Sequence, residues 1–294
     1  MSYGKSKNGR SYIAGDIHGA LEIEKVLDFI ELESCIRTLT EDDYLILLGD
    51  VGLCWDDGIK DAFVRKKLEE LPLTVLWIDG NHENFDIIDS MPVTSWHGGM
   101  VQFIGEKIIH LMRGYVYEIN GYKFFTFGGG FSVDKMHRQE GISWWEREMP
   151  SEDEYDRGKM QLRLHRNKVD FILTHTAPAH VAGQLVDTIY PGEEELQDYL
   201  EEIAQITNFK RWYFGHWHKD CVIDKYVGVY DNIIELPPKA SVVEEMTFID
   251  RFANLFVEDD CEWSFSNTQE EDVPDFFCGE FIESTELGGM ENGI

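Results

Sequence analysis

Three times near its start, the chain runs through a few apolar residues and stops on glycine followed by a polar side chain. Tyr12-Ile13-Ala14 leads into Gly15-Asp16, Tyr44-Leu45-Ile46-Leu47-Leu48 into Gly49-Asp50, and Val75-Leu76-Trp77-Ile78 into Gly80-Asn81. Runs this short and this uniformly apolar suit strands buried on both faces, and each delivers polar groups to its C-terminal end. Between the first two, Ile23, Val26, Leu27 and Ile30 fall at i, i+3, i+4 and i+7, the stripe of an amphipathic helix. A second helix is predicted over 59–71. Strand, helix, strand, helix, strand in that order requires right-handed crossovers and a largely parallel sheet, hence an α/β layered fold.

The middle of the chain changes character. Strands are predicted over 108–112, 115–119 and 122–127, the last two joined by Asn120-Gly121, a strong short hairpin signal and so an antiparallel portion. A helix over 152–168 then leads to Phe171-Ile172-Leu173 and Thr174-His175. An acidic helix over 193–206 precedes Trp212-Tyr213-Phe214, which ends at Gly215-His216-Trp217-His218. The pattern fades after Pro237-Pro238, and 258–294 carries many acids and no Lys or Arg. The expected organisation is a catalytic domain over 1–240 and an acidic appendage over 241–294, docked in part through Trp263, Phe265, Phe276, Phe277 and Phe281 or disordered.

Charge narrows the partners. Lys and Arg number 26 against 56 Asp and Glu, a formal net charge of −30. Such a field repels polyanions, so extended nucleic-acid binding and attachment to an anionic membrane are disfavoured, while the acidic C-terminal segment reads as a solubilising tail, with a lid that excludes polyanions or a docking site for a basic partner as the alternatives. The run Glu193-Glu194-Glu195 with Asp198, Glu201 and Glu202 reads as a solvated helix face. Five scattered cysteines without a CxxC pair, no apolar signal core ahead of the first strand and no long apolar run point to a reduced, cytoplasmic protein.

The polar residues at the strand ends are Asp16 and His18, Asp50, Asn81, His82 and Glu83, His175, and His216 and His218. Binding crevices of α/β sheets lie outside the carboxyl ends of the strands, so these loops are expected to converge. Asp16 and His18 flank Ile17, and His216 and His218 flank Trp217, so in extended backbone each pair projects to one side and can grip one cation. Carboxylate, imidazole and amide donors without thiolate suit hard or borderline divalent ions such as manganese, iron or zinc.

The ordered blocks Asp16-x-His18, Gly49-Asp50, Gly80-Asn81-His82-Glu83, His175 and Gly215-His216-x-His218 resemble the DxH, GD, GNH(E), H and GHxH motifs of the calcineurin-like metallophosphoesterases. The resemblance implies a four-layer α/β/β/α sandwich with mixed parallel and antiparallel sheets. It also implies two divalent cations, manganese foremost with iron, zinc or nickel as alternatives. Asp16, His18 and His218 would hold one ion, Asn81, His175 and His216 the other, and Asp50 would bridge them. A bridging hydroxide would then attack phosphorus, and His82 would protonate the leaving oxygen or stabilise phosphoryl charge.

The implied activity is hydrolysis of phosphate monoesters, on a phosphorylated small molecule, nucleotide or phosphopeptide. Phosphodiester or nuclease chemistry on nucleotides or short nucleic acid is the alternative. A non-catalytic binding module on the same fold is argued against by the intact ligand set. The chain departs from the protein-phosphatase branch, whose second block reads GDxxDRG; here Gly49-Asp50 continues Val51-Gly52-Leu53-Cys54-Trp55. Protein-phosphatase activity is therefore in doubt, and Asp56 or Asp57 are the nearby substitutes for a carboxylate that orients His82.

A glycine-rich stretch, Gly128-Gly129-Gly130-Phe131-Ser132-Val133-Asp134, follows the strand over 122–127 and resembles the GGxxSxD loop of some bacterial and phage members. Just beyond it, Arg138 is the expected substrate-phosphate ligand beside Asn81, and Trp144-Trp145 the expected apolar wall. His97, His110, His137, His165 and His180 are read as surface or satisfied core residues.

Overall fold

The chain opens with β1 (Ser11–Ala14), α1 (Ile23–Ile36), β2 (Tyr44–Leu47), α2 (Ile59–Glu69) and β3 (Thr74–Trp77), and the three strands pair in parallel with Ser11 opposite Tyr44 and Tyr44 opposite Thr74. The computed structural model describes residues 9–186 and 192–236, so the boundary expected at 240 and the acidic segment beyond it lie outside the described residues. Next come α3 (Phe85–Ser90), β4 (Val93–Trp96), β5 (Gly99–Ile104) and β6 (Ile108–Leu111). β6 runs parallel to β3 and antiparallel to β5, so the sheet changes from parallel to antiparallel at this strand.

The second half begins with the hairpin of β7 (Tyr115–Ile119) and β8 (Tyr122–Phe127), whose turn residues Asn120 and Gly121 have φ of 51° and 79°, as a two-residue turn of this type demands. Then follow α4 (Glu152–Leu164), β9 (Phe171–Thr174), α5 (Ala179–Leu185), α6 (Glu194–Ile206), β10 (Arg211–Phe214), β11 (Cys221–Ile223), β12 (Tyr226–Gly228) and β13 (Ile234–Leu236). α4 stops four residues short of the sequence expectation because Arg166 and Asn167 turn left-handed, with φ of 59° and 50°.

Two mixed sheets result, ordered β13-β1-β2-β3-β6-β5-β4 and β11-β12-β10-β9-β8-β7. On the first, Tyr12, Ala14, Leu45, Leu47, Val75 and Trp77 pack with Ile23, Val26 and Ile30 of α1 and Val64 and Leu68 of α2. Their alternates Ile13, Ile46 and Leu76 are buried on the opposite face. On the second, Phe125, Phe127, Ile172, Trp212 and Phe214 pack with Leu162 of α4, Val181 of α5 and Leu196, Leu200 and Ile203 of α6, while Phe124, Leu173 and Tyr213 are buried on the other side. The central strands of both sheets are thus covered on both faces, and the architecture is the α/β/β/α sandwich. Strands buried twice over have no polar face, which is why they read as apolar runs rather than alternating ones. Among the described residues no helix is long and apolar enough to cross a membrane.

Candidate metal centre

Five strand ends meet. Asp16 and His18 follow β1, Asp50 follows β2, Asn81 and His82 follow β3, His175 follows β9, and His216 and His218 follow β10. The loops turn sharply to bring them together. His18, Asp50, His216 and His218 are four of the ten non-glycine residues with positive φ among the described residues, a concentration of backbone strain that is typical of functional sites. Gly49 has φ of 97°, and a Cβ placed there would stand 2.3 Å from His175 Nδ1. Gly80 is held as tightly, since its Cβ would fall 2.0 Å from Asp50 Oδ1.

Candidate ligand atoms of Asp16, His18 and His218 lie within 4.8 Å of one another, and so do those of Asp16, Asp50 and His175. His218 Nε2 is 3.2 Å from Asp16 Oδ2, and His175 Nδ1 is 4.0 Å from Asp16 Oδ1. Asp50 sits between the groups, with Oδ1 3.4 Å from His175 Nε2 and Oδ2 3.8 Å from His18 Nε2. Asn81 Oδ1 lies 3.0 Å from His175 Nε2. His216 belongs to neither set; its backbone N–H donates to Asp16 Oδ1 and its ring stands edge-on to His175 with centroids 4.9 Å apart.

The electrostatics ask for cations. Burial by itself would raise the pKa of Asp16 and Asp50, but His175, joined by His218 and His18 at Asp16 and by His82 and His18 at Asp50, outweighs it and holds both low, Asp50 well below the usual carboxylate range. His175 in turn is pushed up to about 10: burial opposes its charge, and Asp50 and then Asp16 overcome that. Asp16 Oδ2 is buried without an aligned hydrogen-bond donor. Two ionised carboxylates at this depth are compensated here by the surrounding imidazoles, so the donor set fits hard or borderline divalent cations. His175 Nδ1 lies 2.6 Å from the Leu48 carbonyl and His18 Nδ1 3.0 Å from Glu22 Oε2, which leaves both Nε2 atoms turned to the carboxylates.

Residues 9–220 match the sequence model described as calcineurin-like phosphoesterase. The chain belongs to this family. Its reaction class is the hydrolysis of phosphate ester bonds, and its centre is of the metal-binding kind. Among solved structures, the TT1561 protein of Thermus thermophilus is similar at 12% identity and TM-score 0.43, over 79% of this chain and 99% of that one. A protein titled phosphopantetheinyl hydrolase from Mycobacterium tuberculosis is similar at 16% identity and TM-score 0.40, over 79% of this chain and 96% of that one. No curated protein matches the chain in sequence.

Around the phosphoesterase centre, the backbone N–H of His82 donates to Asp50 Oδ1 at 2.8 Å, and its Nε2 stands 4.0 Å from Asp50 Oδ2. Burial, then the charges of Arg138 and His18, bring the His82 pKa down to about 4 against the opposing pull of Asp50, so the ring is neutral at pH 7. Arg138 therefore lies close enough for its charge to act on His82, with Nε on Asp134 Oδ1 at 2.7 Å and Nη1 on the Ser143 carbonyl at 3.1 Å. The carboxylate expected from Asp56 or Asp57 is not delivered: Asp56 accepts from the Gly58 N–H and Asp57 pairs with Arg65. Of the carboxylates whose charge supports protonation of His82, Asp50 acts most strongly and Asp134 of the glycine-rich loop less so. Trp145 is core, bonded through Nε1 to Asp86, and Trp55 is the indole beside His82, with centroids 6.3 Å apart.

Sequence reasoning missed the supports behind the ligands. Asn81 Nδ2 donates to Ser132 Oγ at 3.2 Å, and Ser132 Oγ donates to buried Glu148 Oε2 at 2.7 Å, which fixes which end of the Asn81 amide faces His175. Glu22, four residues after His18, carried a signal in its spacing; Glu148 carried none. The acidic run on α6 also needs correction, because Glu194 and Glu195 are exposed but Glu193 is buried. Among the remaining histidines, His110 is a satisfied core residue, bonded to Gln102 and Asp79.

Proposed function

We propose that this phosphoesterase hydrolyses phosphate monoesters at a centre of two divalent cations. The supporting observation is Asp50, which turns one oxygen towards His175 and the other towards His18, the place of a carboxylate shared by two ions. Asp16, His18 and His218 would hold one cation, and Asn81, His175 and His216 the other, with manganese first among manganese, iron, zinc and nickel. When bound, such a pair supplies water acidified towards neutral pH and offsets charge on the phosphoryl oxygens.

The remaining chemistry belongs to the chain. Neutral His82 offers an N–H to a phosphoryl or leaving oxygen, and Asp50 holds its backbone in place. Arg138 supplies a guanidinium whose charge reaches His82 and would meet the extra charge of a monoester dianion, a demand that a diester does not make. The Ser132 and Glu148 pair keeps the Asn81 amide oriented. A substrate that is a phosphorylated small molecule, nucleotide or phosphopeptide accords with the net charge of −30. Cys35, Cys54 and Cys221 are unpaired thiols, which accords with a reducing, cytoplasmic setting.

The test is hydrolysis of p-nitrophenyl phosphate beside bis-p-nitrophenyl phosphate, with Mn²⁺, for the wild type and Asp50→Asn. Faster monoester cleavage that depends on Asp50 supports the proposal. Faster diester cleavage replaces it with a phosphodiesterase.

A further inference from the structure

The two-cation reading leaves Glu193 unused, and the following inference rests on that reading. Glu193 is 4% exposed, immediately before α6, yet its carboxylate does not cap the helix. Gln197, one turn on and buried, donates its Nε2 to Glu193 Oε2 at 2.7 Å and so pins the carboxylate by one oxygen. The other oxygen, Oε1, is buried without an aligned donor and points to His216, 3.4 Å from Nε2. A buried carboxylate oxygen left unsatisfied is destabilising, so the placement calls for a partner. Gly192 makes the approach feasible: its φ is 122°, and a Cβ there would stand 2.3 Å from the Phe131 ring of the glycine-rich loop.

The other inner imidazoles of the centre follow the same plan. His175 has its far nitrogen on the Leu48 carbonyl and His18 on Glu22, each leaving the opposite nitrogen turned inward. His216 has its Nε2 towards Glu193, which leaves Nδ1 as the nitrogen available to a cation. A hydrogen-bonded far nitrogen fixes both the tautomer and the orientation of a ligating imidazole.

We propose that Glu193 is a positioning residue that accepts the Nε2 proton of His216 and holds its ring with Nδ1 as the donor to the second cation. The carboxylate itself touches neither substrate nor metal. Its contribution is to preset one tautomer, so that binding does not first have to select it.

The experiment uses the full chain with ¹⁵N-labelled histidine. In the metal-free wild type, two-bond ¹⁵N–¹H correlation spectra should show His216 protonated at Nε2, a reading that requires no variant to fold. In Glu193→Ala that preference should disappear, and calorimetric titration with Mn²⁺ should show one of the two ions bound about 10- to 100-fold more weakly, the other unchanged. Glu193→Gln, whose amide oxygen still accepts and whose shape is kept, should retain the tautomer and most of the affinity. A wild-type His216 protonated at Nδ1, or a folded Glu193→Ala with wild-type Mn²⁺ binding, overturns the proposal. His216→Ala separates the two levels: if it still binds two Mn²⁺ tightly, the ligand role of His216 is wrong, whereas losing one ion there but not in Glu193→Ala removes only the role of Glu193.

Discussion

Ser132 gives both its backbone N–H and its hydroxyl to Glu148, at 2.9 Å to Oε1 and 2.7 Å to Oε2, in a pocket where the carboxylate is almost wholly excluded from water. Burial pushes the Glu148 pKa up to about 7 even though these two bonds favour the ionised form. A carboxylic acid raised in the folded state contributes stability that is fully present below its unfolded pKa and is lost as pH rises through the folded one. Between pH 4.5 and about 7 this amounts to about 3 kcal/mol. Urea unfolding at pH 5 and pH 8 should therefore show the wild type losing more stability than Glu148→Gln. Parallel pH dependence in the two proteins would show that Glu148 titrates normally.

Asp50→Asn is the sharpest test of the shared carboxylate. An asparagine preserves the shape but removes the charge that lies between His175 and His18. Mn²⁺ affinity should fall by more than the roughly 10- to 100-fold that follows loss of an outer-shell partner, and turnover should fall with it. Plasma emission measurement of bound metal after dialysis checks this directly; retention of two ions would remove Asp50 from the bridging position.

The legible part of this chain was what its strands must do locally. Runs such as 44–48 are apolar because both faces of the sheet are covered, and they end at Asp50 because the crevice lies at the carboxyl edge, so ligand candidates could be read from position alone. α3 and β4 escaped notice because β4 is mostly exposed and α3 has only six residues, which leaves little periodic signal. Glu193, Glu148 and Ser132 escaped for a different reason. Their roles arise where loops distant in sequence meet, and an acidic run such as Glu193-Glu194-Glu195 does not say which carboxylate is turned inward.

His82→Ala should lower kcat by about 10²–10⁴ while metal content stays at the wild-type value. A pKa of about 4 means that the ring is protonated only at acid pH, so the substitution should change the height of the pH–rate profile above about pH 5 and leave its shape alone. Comparing esters with good and poor leaving groups locates the hydrogen bond: an equal loss for both places it on a phosphoryl oxygen, and a larger loss for the poor leaving group places it on the leaving oxygen. Loss of metal in His82→Ala would contradict the assigned role.

Arg138→Ala tests the feature on which the monoester preference rests. Its guanidinium is already half committed, to Asp134 and to the Ser143 carbonyl, and these bonds hold it where its charge reaches His82. If it binds the dianionic phosphoryl group equally in the ground and transition states, KM for p-nitrophenyl phosphate should rise about tenfold or more with kcat little changed, the loss of one charge-assisted bond. The same variant should leave KM for the diester nearly untouched, because a diester carries one negative charge fewer. Removing the arginine also deprives Asp134 of its partner, so Asp134→Asn serves as the control: it leaves the guanidinium in place, and its KM for the monoester should stay closer to wild type than that of Arg138→Ala. Steady-state kinetics with both esters and both variants decide the matter, and an Arg138→Ala enzyme with wild-type constants for the monoester would show that the substrate phosphate is bound elsewhere.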